Sequence, residues 1–80
     1  MYLACFHTPN QELCEVFLTR QAMEQAVRLR MSKLLELPQE CYLADTLRQF
    51  VLGNTDFDTA LQLYNEWFGA LYGHIRIDLV

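Results

Sequence analysis

The alternation of apolar and polar positions in the first eighteen residues predicts a β-hairpin. Two short segments rich in apolar and aromatic residues, 1–7 and 12–18, flank the turn-forming sequence Thr-Pro-Asn-Gln. A connection of this length places His7 opposite Glu12. The antiparallel register then pairs Cys5 with Cys14, Leu3 with Val16, and Tyr2 with Phe17.

Both faces of this predicted hairpin are largely apolar, because side chains alternate between the faces of a strand. The sequence therefore does not indicate which face the rest of the chain covers. One face carries Leu3, Cys5, Cys14, Val16 and Leu18, and the other carries Tyr2, Ala4, Phe6, Leu13, Glu15 and Phe17.

Two helices are predicted after the hairpin. Apolar residues recur at helical spacing over 20–37, with Thr19 as the N-cap and Pro38 as the stop. A second, shorter helix is predicted over 41–52 and ends at Gly53. Its apolar stripe consists of Leu43, Leu47, Phe50 and Val51.

A third helix and a final strand complete the predicted fold. A capping box from Thr55 to Asp58 starts the helix and Gly73 ends it. The alternating residues 74–80 predict a half-buried strand that joins the hairpin in a three-stranded sheet. The expected fold is α+β, a single domain over 1–80 in the order ββαααβ, with helices mainly on one sheet face. The apolar positions of the third helix are Phe57, Ala60, Leu61, Tyr64, Trp67, Phe68 and Leu71.

Composition narrows the function. The chain has 80 residues, 52% of them hydrophobic, and a net charge of −4, which favours a folded domain and argues against direct binding of nucleic acid. No apolar run approaches the length of a membrane span and no leader is evident, so a cytoplasmic location is expected.

The charge is unevenly distributed along the chain. Residues 1–35 hold four basic and three acidic residues, net +1, whereas residues 36–80 hold two basic and seven acidic residues, net −5.

The apolar hairpin predicts a binding surface. If the helices cover only the opposite face of the sheet, Tyr2, Phe6, Leu13 and Phe17 form an exposed aromatic patch. A helix that crosses to this side would instead bury the patch in a three-layer domain, and a second copy of the chain would cover it in a dimer. The residues predicted to bind a partner are Tyr2, Phe6 and Phe17 as anchors, and Glu40, Asp45, Asp56 and Asp58 as complements to basic groups.

The sequence favours no catalytic or metal site, and no cofactor is expected. Possible metal ligands show neither the C-x-x-C nor the H-x-x-x-H spacing that is typical of zinc sites. The single His-carboxylate pair, His7 with Glu12, is interpreted as a solvated cross-strand ion pair beside the buried thiol of Cys5. The glycines occur near predicted helix ends and form no phosphate-binding loop.

Part of the third helix resembles a known group of proteins. The residues Asp56-Phe57-Asp58-Thr59, followed by Gln62-Leu63 and Trp67-Phe68-Gly69, are similar to a stretch of small anti-CRISPR proteins of phages and mobile elements that act on type I surveillance complexes. The resemblance covers residues 56–69 and implies a phage-encoded, non-enzymatic inhibitor in the host cytoplasm, which docks on a host defence or nucleic-acid-processing complex with a basic surface. Two alternatives stay open: a small homodimeric bacterial adaptor or regulator that pairs through its hairpin face, and a thiol or metal-binding protein that uses Cys5, Cys14 and His7.

Overall fold

The computed structural model describes residues 1–8, 10–36 and 42–80, and it confirms the predicted α+β fold in the order ββαααβ. The predicted helix stop Pro38 and the predicted contact residue Glu40 lie outside the described residues. The elements are β1 (Tyr2–His7), β2 (Glu12–Phe17), α1 (Arg20–Leu35), α2 (Tyr42–Gly53), α3 (Phe57–Tyr72) and β3 (Ile75–Leu79).

The three strands form one antiparallel sheet in the order β2-β1-β3. The hairpin has the predicted register, with Cys5 opposite Cys14 and His7 opposite Glu12. On its other side β1 pairs with β3, so that Phe6 lies opposite Ile75. Among the described residues β2 and β3 each pair only with β1, and each therefore forms an edge of the sheet.

The helices cover the aromatic face of the hairpin, which corrects the expectation that Tyr2, Phe6 and Phe17 lie on an uncovered face. Phe6 is only 7% exposed and belongs to the hydrophobic core, and Tyr2 and Phe17 are half-buried against that core. The physical reason is the pairing of β1 with β3, which places Ile75 and Ile77 on the same sheet face as Phe6. That combined surface is the most apolar one in the sheet, and its burial is favourable.

The two longer helices pack on this face. Thr19 is the N-cap of α1, as predicted, and its hydroxyl accepts a hydrogen bond from the amide of Ala22 at 3.2 Å. Helix α3 ends at Gly73, as predicted, where a φ of 96° favours glycine. One side of each helix contributes to the core: Met23, Val27, Met31 and Leu35 from α1, and Phe57, Ala60, Tyr64 and Phe68 from α3.

Helix α2 has a different environment. Within the described part of the chain it packs against α1 and α3 and not against the strands. Val51 and Ala44 are buried on its inner side. Two other residues of the predicted apolar stripe, Leu43 and Phe50, are exposed. A helix that lies beside the sheet buries a narrower stripe than one that lies across it, so apolar residues remain on its flank.

Candidate protein-binding surface

An apolar surface remains open where α2 and α3 pack together. We call it the α2–α3 surface. Residues 54–56 connect the two helices, and this short connection brings α3 back alongside α2. The surface consists of Leu43, Leu47 and Phe50 from α2, and Leu63, Trp67 and Leu71 from α3.

Half of these six side chains are well exposed. Leu43 is 60%, Phe50 58% and Leu71 63% exposed, whereas the other three are half-buried against the core. The exposed parts of these three side chains amount to an area on the order of 300 Å², comparable with the largest apolar patch of a typical monomer. An apolar area of this size on a small protein marks a region that can gain free energy by contact with a partner.

The aromatic residues give the α2–α3 surface a defined shape. The rings of Phe50 and Trp67 meet edge to face, with 5.9 Å between their centroids. This arrangement is favourable for aromatic rings and restricts both side chains. Rigid aromatic groups lose little conformational entropy on binding, which is why they are common anchors at protein interfaces.

The loop between α2 and α3 is held from α1. The guanidinium of Arg28 donates hydrogen bonds to the carbonyl oxygens of Asn54 at 3.1 Å and Thr55 at 2.9 Å. The same guanidinium lies over the ring of Phe57, 5.6 Å from its centroid. These contacts fix the angle at which α3 leaves α2, and so they position the α2–α3 surface.

Two of the acidic residues predicted as contacts have partners within the chain. Asp58 accepts a charged hydrogen bond from Arg20, with 3.2 Å between Nη2 and Oδ2, and Asp45 forms an ion pair with Arg48 on the same helix. Both carboxylates remain exposed and can still face a basic partner. Their existing partners reduce what a new ion pair would contribute.

Asp56 has a structural role. It is the N-cap residue of α3, one position later than the predicted capping threonine, and it accepts a hydrogen bond from the hydroxyl of Thr59. That hydrogen bond is the main cause of the lowered pKa of the Asp56 carboxyl. Its negative charge is also favourable at the positive end of the helix dipole.

The segment that forms the surface carries a net negative charge, which comes from α3 and the connection, because α2 holds one acidic and one basic residue. Residues 42–73 contain four acidic residues, Asp45, Asp56, Asp58 and Glu66, and one basic residue, Arg48, which gives a net charge of −3. Arg48 also donates a hydrogen bond to the carbonyl oxygen of Leu35 at 3.0 Å. The net negative charge of residues 42–73 favours association with a positively charged partner.

A second group of polar residues lies on the uncovered face of the hairpin. The predicted cross-strand pair is present, with 3.7 Å between Nδ1 of His7 and Oε2 of Glu12. Cys5 is buried and Cys14 is exposed beside this pair. A hydrogen bond with Cys5 is the main reason why the pKa of the Cys14 thiol is raised to about 11. A thiol that stays protonated at neutral pH is a weak nucleophile, so this group is poorly suited to covalent catalysis.

The sequence did not reveal the role of Asn65. Its side-chain amide donates a hydrogen bond to the carbonyl oxygen of Ile75 and accepts one from the amide of Ile75, both at 2.8 Å. The side chain of Asn65 therefore makes the two hydrogen bonds that the backbone of a neighbouring strand would make with Ile75. These bonds join the start of β3 to α3. No periodic pattern marks such a residue, because a half-buried asparagine in a helix looks like any polar position.

Residues 56–69 contribute several positions to the hydrophobic core. Phe57, Phe68 and Gly69 are buried, and Asp56 caps the helix. Within the described residues no helix has both the length and the apolar character that a membrane crossing requires. Comparisons with protein-family models, with curated proteins and with solved structures found no match to this chain.

Proposed function

We propose that this chain is a non-enzymatic protein-binding module that docks on a basic partner through the α2–α3 surface. The observation that carries the proposal is the exposure of Leu43, Phe50 and Leu71 beside the aromatic pair of Phe50 and Trp67, in a segment of net negative charge. Apolar anchors in the centre and charges at the rim are the usual organisation of a specific interface.

The proposed binding surface is acidic and aromatic, as the sequence predicts, but its anchor residues lie on α2 and α3 and not on the hairpin. Phe50 and Trp67 take the role that was predicted for Tyr2, Phe6 and Phe17. Residues 56–69 resemble anti-CRISPR proteins, so the specific form of the proposal to test first is that the chain inhibits a host defence complex. The first candidate partner is a type I surveillance complex. Inhibition would then follow from occupancy of a surface on that complex.

The test compares variants of the surface with a matched control. Leu43→Gln and Leu71→Gln place amides in the α2–α3 surface, and Leu29→Gln makes the same change on α1, where the leucine is 58% exposed. All three proteins should remain folded, because exposed substitutions usually change stability by less than about 0.5 kcal/mol. Each chain is immobilised and exposed first to a purified type I surveillance complex and then to a bacterial lysate, and the bound proteins are identified by mass spectrometry.

We expect a protein that is bound by the wild type and by Leu29→Gln but is lost with the combination of Leu43→Gln and Leu71→Gln. A loss of about 2 kcal/mol at one anchor corresponds to roughly 30-fold weaker binding. Binding should also weaken as salt increases, since the contribution of the acidic residues is screened. Equal binding of the partner by all variants contradicts the proposal. If the wild type forms a dimer and all three variants still form it, the result favours the alternative in which two copies of the chain pair through the hairpin.

A further inference from the structure

Four side chains with metal-binding chemistry occupy two adjacent rungs of the hairpin. Cys5 lies opposite Cys14, and His7 lies opposite Glu12. Because residues two apart in a strand share a face, all four belong to the sheet face that the helices leave uncovered. The pattern in the sequence is C-x-H on β1 and E-x-C on β2, which differs from the C-x-x-C and H-x-x-x-H spacings that are typical of zinc sites.

The ligand atoms are close enough for one ion. Both sulfur atoms and a carboxylate oxygen of Glu12 lie within 4.8 Å of one another. Sγ of Cys14 is 3.6 Å from Oε1 of Glu12, and Nδ1 of His7 is 3.7 Å from Oε2 of the same carboxylate. A tetrahedral zinc ion holds a sulfur and an oxygen ligand about 3.5 Å apart, and a nitrogen and an oxygen ligand about 3.3 Å apart. The 3.6 Å between Cys14 and Glu12 is close to the first of these values, whereas the imidazole of His7 must rotate to reach the same ion.

The surroundings suit an anionic site. Two thiolates and one carboxylate carry three negative charges, so a bound divalent ion leaves one negative charge in excess. Arg76 lies opposite Cys5 on β3. The positive charge of Arg76 therefore lies beside the excess negative charge, but Asp78 shares it. Asp78 also faces Arg76, with 2.9 Å between the charged groups.

We infer that Cys5, Cys14 and Glu12 form a zinc-binding site on the uncovered face of the hairpin, and that the imidazole of His7 turns toward the ion to complete it. The donor set selects the ion: thiolates and imidazole favour zinc over the hard ions magnesium and calcium. The ladder between β1 and β2 fixes the positions of both cysteines before the ion arrives. Cys5 closes the inner side of the site because it is buried between neighbouring strands, and Cys14 leaves the outer side open for entry. This inference is independent of the proposed function of the α2–α3 surface.

The test uses the full chain in its reduced form. The protein is treated with a phosphine reductant until three thiols per chain are titrated, which excludes a disulfide between the ligands. Cobalt(II) is then added, followed by zinc. We expect one cobalt per chain, with thiolate-to-cobalt charge-transfer absorption and the visible bands of a tetrahedral site, and displacement of cobalt by zinc. Isothermal titration gives the zinc affinity.

The matched variants are Cys14→Ser and Cys41→Ser. Cys14 is exposed, so its replacement should leave the fold intact, as circular dichroism will check. Cys14→Ser should weaken zinc binding by at least about 100-fold, because loss of a ligand costs no less than loss of an outer partner. Cys41→Ser should leave the affinity unchanged. Glu12→Gln should weaken it by about 10-fold or more and provides a second variant that keeps both thiols.

Two results would overturn the inference. One is the absence of cobalt–thiolate absorption when the reduced wild type is mixed with one equivalent of cobalt. The other is equal zinc affinity for Cys14→Ser and Cys41→Ser, since an ion that does not distinguish these cysteines is not bound by the hairpin.

Discussion

Replacement of Asn65 by alanine should detach β3 from α3. The change removes two hydrogen bonds of 2.8 Å and leaves the amide and the carbonyl of Ile75 without this partner. An unpaired buried polar group costs about 1–3 kcal/mol, and the better helix propensity of alanine returns about 0.5 kcal/mol. Since the site is partly buried, we expect a net loss of about 2–3 kcal/mol in the free energy of unfolding. For a domain of this size the melting temperature then falls by roughly 10–20 °C.

The measurement is urea unfolding followed by fluorescence. Trp67 is the single tryptophan of the chain and lies two residues from Asn65, so it reports on α3 directly. Gln62→Ala is the control, because the Gln62 side chain donates to the exposed Glu66 at 3.2 Å and not to a strand. This control should change stability by less than about 0.5 kcal/mol. If Asn65→Ala and Gln62→Ala unfold at the same urea concentration, the hydrogen bonds to Ile75 do not stabilise the fold.

Three further changes test other parts of the fold. Tyr64→Phe should raise the free energy of unfolding by about 1 kcal/mol, because the Tyr64 hydroxyl is buried and has no hydrogen-bond partner among the described residues. Thermal unfolding measures the change, and a decrease of about 1 kcal/mol would show that the hydroxyl does form a stabilising hydrogen bond. Gly73→Ala should lower the free energy of unfolding by about 3 kcal/mol or more, because φ is 96° and a Cβ would overlap the carbonyl oxygen of His7. Urea unfolding measures the change, and a decrease below about 1 kcal/mol would contradict the expected strain at Gly73. Asp56 has a lowered pKa, so its contribution to stability is present above the ordinary value of 3.8 and is lost as pH falls through the lower folded value. Asp56→Asn should remove that part of the acid destabilisation in a series of melts between neutral and acidic pH, and an unchanged acid limb would contradict the assignment.

The hairpin could be predicted in detail because its register depends on local features. The four-residue connection pairs His7 with Glu12, and every other pair follows from that one. Helix ends such as Thr19 and Gly73 were also predictable, since capping and a positive φ depend on single residues.

The covered face of the sheet could not be predicted from the hairpin alone, because both of its faces are apolar. The decisive information is the pairing of β1 with β3, which places Phe6 beside Ile75. The alternation in residues 74–80 predicted which side of β3 is apolar but not its register on β1. Once that register is known, the aromatic face is the one that must be buried.

The exposure of the α2–α3 surface could not be predicted for a related reason. The spacing of Leu43, Phe50 and Leu71 predicts a buried helix stripe, and helical periodicity does not show how wide a stripe the neighbours cover. The width depends on where α2 lies, beside the sheet or across it, and that is a property of the whole fold. Likewise, the metal-binding chemistry of the hairpin becomes visible only when the two strands are paired.

Site-specific photo-crosslinking shows directly whether a partner protein contacts the α2–α3 surface. A photoreactive amino acid replaces Leu43 or Leu71 in the surface, and Leu29 on α1 or Val16 on β2 as exposed controls. Each chain is illuminated in the presence of the protein captured by the wild type. Crosslinks from positions 43 and 71, with little or none from 29 and 16, are the result we predict. Crosslinks confined to position 16 or position 29 would contradict the proposal, because the partner would then contact the hairpin or α1 and not the α2–α3 surface.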